Sequence, residues 1–158
     1  MATKQSSCKK KRGLTIIELV VVVTIIGLIA AIAIPAYTTS RRSSIAAKTA
    51  NDMRKFADQF NLYNLENGAW PSDGYPATIP GGMEDYLSNG VWSQKTPIGG
   101  YWDYDNSAFG FTSGVSVDSA TMGDETFAAI DALLDDGNLT TGFIVKTAGD
   151  RLSYILAP

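Results

Sequence analysis

Glu18 is the residue that asks for a chemical explanation. It is the single charge within Leu14–Ile34, LTIIELVVVVTIIGLIAAIAI. An unpaired acid costs about 2.5–3.5 kcal/mol at the centre of a membrane helix and somewhat less near the end, where Glu18 sits. The chemistry it needs is a cation. If the chain is cut after Gly13, a new α-amino group appears at Leu14, and its ordinary pKa of roughly 7.7–8.0 keeps it mostly cationic at neutral pH. At ~4 Å and an effective dielectric of about 20, a carboxylate–ammonium pair gains on the order of 4 kcal/mol, comparable with the burial cost. A neighbouring subunit's terminus is one source of that amine.

A second group of residues could hold a metal. Asp103, Asp105 and Asn106 offer oxygens close together in sequence, as do Asp118, Asp124 and Glu125, and calcium favours such sets. The EF-hand pattern fails, because Ala108 rather than Gly follows Ser107, and acids in turns are more often simply solvated. Trp92 and Trp102 read as core or sheet anchors rather than a sugar-binding platform.

Other chemistries are excluded by composition. The chain has no histidine, and its one cysteine is Cys8. The usual zinc sites, Cys nucleophiles and Ser-His triads each need a side chain that is missing, so the sequence is not that of an enzyme and has no catalytic residues. Of 13 Lys and Arg residues, five lie in Met1–Gly13, which has no acid; beyond Gly13, eight bases face 16 acids, a net charge of −8. That balance disfavours nucleic acid as a partner.

The elements that must position these residues begin with Leu14–Ile34, about as long as the roughly 20 residues that span a bilayer. Lys9–Arg12 precede it, against only Arg41 and Arg42 close behind, so the positive-inside rule puts the N-terminus in the cytoplasm and the bulk of the chain outside. A Sec signal peptide would use Ala31-Ile32-Ala33 as its cleavage site, but this apolar run is too long for one and contains Glu18. A plain signal anchor accounts for length and orientation, not for Glu18 or Gly13. Thr24, Gly27 and Ala31 share one face of small residues, which lets membrane helices approach closely, although such residues are common in membrane helices generally.

Pro35 leaves the Ala31 carbonyl without its helical donor and should kink the helix. Beyond it, Ile45, Thr49, Met53, Phe56, Phe60 and Tyr63 recur on one face, and Asn67-Gly68 supplies a left-handed stop. One long helix from Leu14 to about Glu66 is expected, on the order of 80 Å at about 1.5 Å per residue.

Lys10-Lys11-Arg12-Gly13 followed by Leu14-Thr15-Ile16-Ile17-Glu18-Leu19 resembles the prepilin peptidase site of type IV pilins and secretion pseudopilins. The likeness covers about the first third of the chain and extends to the apolar run and Pro35. It departs from the common pattern at Leu14, where these families most often have Phe. The resemblance implies cleavage between Gly13 and Leu14, N-methylation of Leu14, and recruitment of the subunit by Glu18 neutralising a neighbour's terminal amine. It also implies a prepilin peptidase, an assembly ATPase, an inner-membrane platform protein and other pilin subunits as partners.

After Gly68 the composition turns to Gly, Pro, Asn, Asp and aromatics. Strands are expected at Gly100–Tyr104, Phe109–Val117, Gly142–Lys146 and Leu152–Leu156, with a short helix at Asp124–Asp135. The expected fold class is α+β. The long helix, transmembrane in its first half, lays its Met53, Phe56 and Phe60 stripe on a small antiparallel sheet. The domains are then a leader 1–13, a transmembrane and polymerisation helix 14–37, and an extracytoplasmic head 38–158.

Glu66–Asp105, with Trp70-Pro71, Pro97 and Gly99-Gly100-Tyr101-Trp102-Asp103, is similar to the loop and first strand of type II secretion pseudopilins. This implies a single-pass inner-membrane protein with a periplasmic head, assembled into a pseudopilus for protein export. The alternatives are a type IV pilus subunit for adhesion, motility or DNA uptake, and, from another class, a membrane-anchored binding domain using calcium or its Trp-lined loops.

Overall fold

The computed structural model describes residues 13–87 and 89–158. The basic residues Lys9–Arg12, and with them nearly all of the expected leader, lie outside that range. The chain divides after Thr39 into two units.

The first unit is helical. Helix α1, Ile16–Asn67, begins two residues later than expected from the apolar run and continues into the second unit. Up to Thr39 its apolar side chains, among them Val20, Val23, Ile26 and Ile29, are exposed on every side. A helix apolar all round is stable only where lipid or other protein surrounds it, and α1 is long and apolar enough to cross a membrane. Pro35 lies within the helix and does not end it; its carbonyl accepts from the hydroxyls of Thr38 at 2.9 Å and Thr39 at 3.1 Å.

In the second unit, α1 shows the expected stripe: Thr49, Met53, Phe56 and Phe60 are buried, with Ile45 and Tyr63 at its margins. The helix stops at Gly68, whose φ of 69° and N–H to the Asn64 carbonyl (2.8 Å) make the left-handed terminus that Asn67-Gly68 announces. A single turn, α2 (Asn89–Trp92), not expected from the sequence, delivers Trp92 to the core.

Four strands follow: β1 (Tyr101–Ala108), β2 (Phe111–Asp118), β3 (Ile144–Ala148) and β4 (Arg151–Ala157), with α3 (Asp124–Leu134) between β2 and β3. They form one antiparallel sheet in the order β1-β2-β4-β3. The expected β1 was too short, because pairing with β2 carries it to Ala108 opposite Phe111. The expected β2 began too early: Phe109 and Gly110, with φ of 53° and 90°, form the two-residue turn of the hairpin.

Alternation along the strands gives the sheet two different faces. Trp102, Tyr104, Val115, Val117 and Leu152 pack on α1. Phe60 stacks on Tyr104 at 4.2 Å, and Phe56 meets Trp92 and Trp102 edge-on at 4.9 and 5.0 Å. Both tryptophans are thus core anchors, and Trp92 also donates its Nε1–H to the Thr78 carbonyl at 2.6 Å. The other face carries Asp103, Asp105, Ser116, Arg151 and Ser153, all buried.

Candidate assembly site and the acidic groups of the head

At the start of α1, two side chains bond reciprocally. The Thr15 hydroxyl accepts the N–H of Glu18 at 3.3 Å, while the Glu18 carboxylate accepts the N–H of Thr15 at 2.8 Å and its hydroxyl at 2.7 Å. This is a capping box, with Thr15 at the N-cap and Glu18 three residues on, and it explains why the helix begins at Ile16. The carboxylate also sits at the positive end of the helix dipole. The pattern Thr15-Ile16-Ile17-Glu18 carried this signal, but the reading of Glu18 as a partner for an amine passed over Thr15.

Gly13 and Leu14 precede the helix in irregular, exposed backbone. Among the described residues, a side chain at Gly13 would meet nothing within 4 Å. No contact among the described residues therefore requires glycine there. Of the small-residue face, Gly27 is equally open, and the Thr24 hydroxyl turns back to the Val20 carbonyl at 2.7 Å.

The acids singled out in the head are rearranged relative to their grouping in sequence. Asp103, Asp105 and Asp118 converge, not as two separate clusters, on the guanidinium of Arg151. Its Nη1 meets both oxygens of Asp105 at 2.8 and 3.0 Å, and its Nη2 meets Asp103 at 2.9 Å and Asp118 at 2.7 Å. Sheet register causes this, because β1, β2 and β4 lie side by side. Asp124 stands apart, paired with Lys146 at 2.5 Å, and Glu125 pairs with Arg42 at 2.7 Å. Asn106 donates to the Pro71 carbonyl at 2.6 Å.

Arg151 and its partners are 8% exposed or less at Asp103, Asp105 and Arg151 itself, so desolvation governs them. Burial pushes Asp103 up to about 6 against the pull of Arg151, and raises Asp105 in the same direction despite bonds from Ser116 and Arg151. Burial works to lower the Arg151 pKa, but Asp105, Asp103 and Asp118 together leave it raised. The Ser116 hydroxyl donates to Asp105; Ser153 lies 2.9 Å from Ser116, and Thr147 2.8 Å from Ser153. Phe109 covers the guanidinium, its ring centroid 4.9 Å from Cζ. A fork of five donors suits three carboxylates as a point charge would not, so this arrangement locks three strands together and commits Asp103, Asp105 and Asp118 to Arg151. Arg151 was not singled out from the sequence.

A capped helix start, an N-terminal apolar stretch with the single acid Glu18, and a four-stranded antiparallel sheet under the second half of that helix are together similar to type IV pilin-like proteins in motif and fold. The prokaryotic N-terminal methylation motif matches residues 8–34. The fold is that of the major type IV pilin PilA1 from Clostridium difficile, with a TM-score of 0.54 at 13% identity over 74% of this chain and 97% of that one.

Among curated relatives, the fimbrial protein EcpC of Eikenella corrodens is 33% identical over 81 residues, 51% of this chain and 53% of that protein. The type II secretion system core protein G of Dickeya chrysanthemi is 27% identical over 64 residues, 40% of this chain and 42% of that protein. The chain thus spans about half or less of these relatives' length, and they divide between pilins and pseudopilins.

Proposed function

We propose that this chain is a structural filament subunit, a pseudopilin of a type II secretion system. In this reading it is cut between Gly13 and Leu14 and N-methylated at Leu14. It is held in the inner membrane by α1, with its head in the periplasm, until it assembles into a pseudopilus. The observation that carries the reading is Glu18: one acid, fifth after Gly13, in the first part of α1, where the apolar side chains up to Thr39 are exposed. Such a helix gains by packing against copies of itself, and the carboxylate gains by meeting a neighbour's terminal amine. That no described residue comes within 4 Å of a side chain placed at Gly13 supports a glycine requirement imposed by a peptidase. Prepilin peptidase, the platform protein and an assembly ATPase are the partners this implies.

A second reading, a subunit of a surface type IV pilus, is favoured by the similarity to EcpC. Mass spectrometry of the protein extracted from native membranes tests what both share. A chain beginning at N-methyl-Leu14 is expected, and an intact Met1 or a cut near Ala33 would overturn it. Deleting the gene then separates the two, since a pseudopilin's loss strands exported proteins in the periplasm while a pilin's loss removes surface filaments.

A further inference from the structure

Phe143 stands in water with its backbone fixed. Its ring is 60% exposed, yet its N–H is held by the Asp135 carboxylate and its carbonyl accepts the N–H of Ile155 at 2.7 Å. A single exposed apolar side chain is ordinary. A large aromatic on a backbone pinned from two sides is preorganised as an interface anchor, because it loses little freedom when a partner buries it. On α3, Phe127, Ile130 and Asp131 turn into the core, and the chain leaving the helix places Asp135 and the exposed Asp136 ahead of Phe143. Asp136 is fixed as well, accepting the N–H of Asn138 at 2.8 Å and the Thr141 hydroxyl at 2.9 Å. The loop is an aromatic knob accompanied by acids.

The head also has a socket of matching kind. Between α1 and the turn that leads into α2 lies a groove of about 360 Å³. Phe56 and Leu87, both buried, floor it, and Tyr86 and the half-exposed Val91 wall it. Tyr86 is braced against Tyr63, their ring centroids 5.5 Å apart, and donates to Glu66, so that wall is firm. Gln59 and Lys55 stand at the rim. Lys55 has 75% of its side chain in solvent and reaches only Asp52, at 3.9 Å. Lys48 and Arg41, both exposed, precede it at intervals of seven residues, so the three cations share one face of α1. Among the described residues, no ion pair engages Arg41, Lys48, Asp135 or Asp136.

Knob and groove lie on opposite flanks of the head. The outer strands of the sheet are β1 and β3. The groove belongs to the β1 side, since Phe56 packs on Trp92 of α2 and on Trp102 of β1. The knob belongs to the β3 side, since α3 lies against β3 and Phe143 leads into that strand. The second half of α1 agrees: Arg54 reaches the Leu133 carbonyl of α3 at 3.4 Å, while its neighbour Lys55, turned by about 100°, faces the groove. A head therefore cannot fill its own groove. Two complementary surfaces on opposite flanks make a heterologous contact, which repeats head to tail into an open row instead of closing a pair.

We infer that the heads of two copies join here: Phe143 of one enters the groove of the next, and Asp135 and Asp136 meet Lys55, with Lys48 behind it. The occupant is a second copy because one sequence carries both members of the pair, apolar knob and apolar groove, acidic loop and basic helix face. The ring supplies the burial, on the order of 150–250 Å². The exposed charges, each pair weak by itself, set the register and reject the reversed orientation. One ring buries too little to hold a stable dimer, so the contact acts where the apolar part of α1 already gathers the copies. It rests on the filament reading, to which it adds a bond between heads.

Crosslinking in native membranes tests it. The full-length chain carries Cys8→Ser, Gln59→Cys at the groove rim and Thr140→Cys beside the knob, which leaves Phe143 and the floor of the groove untouched, and is treated with a short bismaleimide. A ladder of dimers, trimers and higher multiples is expected, and neither cysteine alone should give one. Phe143→Ser in the same background, an exposed change that leaves the core intact, should cut the ladder about tenfold or more, and Lys55→Glu should weaken it less. The contact is overturned if the double-cysteine chain gives no ladder, if the ladder survives Phe143→Ser undiminished, or if the products are not multiples of this chain's mass. Sheared polymer from the same cells scores the filament reading separately: polymer without a ladder leaves that reading standing, and absence of polymer removes it together with the contact.

Discussion

Thr15 and Glu18 bond each other in both directions, with the Glu18 carboxylate 2.8 Å from the Thr15 nitrogen and the Thr15 hydroxyl 3.3 Å from the Glu18 nitrogen. Glu18 therefore has a local use, starting α1, besides the charge pairing proposed for assembly. The two uses place different demands on the side chain, since a capping box accepts Glu or Gln alike, whereas neutralising an amine needs the charge.

Substitutions separate these uses. Glu18→Gln preserves the cap and removes the charge; Thr15→Ala removes the cap, at a cost of about 1 kcal/mol to the helix start, and preserves the charge. Cleavage after Gly13 is expected to proceed in both variants. Incorporation into filaments, measured by immunoblot of sheared or co-purified polymer in a strain lacking the wild-type copy, should be lost in Glu18→Gln and retained in Thr15→Ala. Should Glu18→Gln assemble as well as wild type, the carboxylate's part in recruitment would be only that of a cap.

Asp103 makes the head's stability depend on pH in a direction unusual for an acid beside an arginine. Burial lifts its pKa from 3.8 to about 6, and Arg151 recovers only part of that. Between those values the folded protein holds a proton that the unfolded chain has released. The group's contribution is therefore fully present below pH 3.8 and is lost as pH rises through about 6. A shift of that size corresponds to on the order of 3 kcal/mol.

Asp103→Asn is neutral throughout and still accepts from Arg151. Urea unfolding in detergent at pH 4 and pH 7 should thus show the variant gaining on wild type by up to roughly 3 kcal/mol at the higher pH. Asp105, raised in the same direction, is present in both proteins and drops out of the difference. An offset between the two proteins that stays constant with pH would contradict this account.

What could be read from the sequence follows how local each signal is. The Met53, Phe56 and Phe60 stripe and the Asn67-Gly68 stop are written within one or two helical turns, and the structure has them where expected. Glu18 stood out because its neighbours are uniformly apolar. The Arg151 cluster was hidden, because its carboxylates lie 46, 48 and 33 residues away and meet only through strand register, which no short window reveals. Their acids were instead grouped by proximity along the chain, which put Asp118 with Asp124. Asp131 was passed over although its position, four residues after Phe127 on the apolar face of α3, marks it as a buried charge. At Phe109, an aromatic that favours strands misled the reading; only Gly110 beside it hinted at the turn.

That turn sets two forces against each other. Phe109 takes a φ of 53°, a region that costs a residue with a Cβ about 1–2 kcal/mol. Its half-exposed ring lies over the Arg151 guanidinium, and such a contact returns about 0.5–2 kcal/mol depending on desolvation. The near balance explains how a phenylalanine is tolerated where hairpins prefer Asn or Gly. Phe109→Ala discards the ring and keeps the strain, so it should lower stability by about 1 kcal/mol. Phe109→Gly discards both and, although it buries less, should unfold at a higher urea concentration than Phe109→Ala. Midpoints measured at pH 7 on the full-length variants in detergent give the order directly; if the alanine variant proves more resistant than the glycine variant, the turn is not strained, and if it matches wild type, the ring's contact with Arg151 contributes nothing.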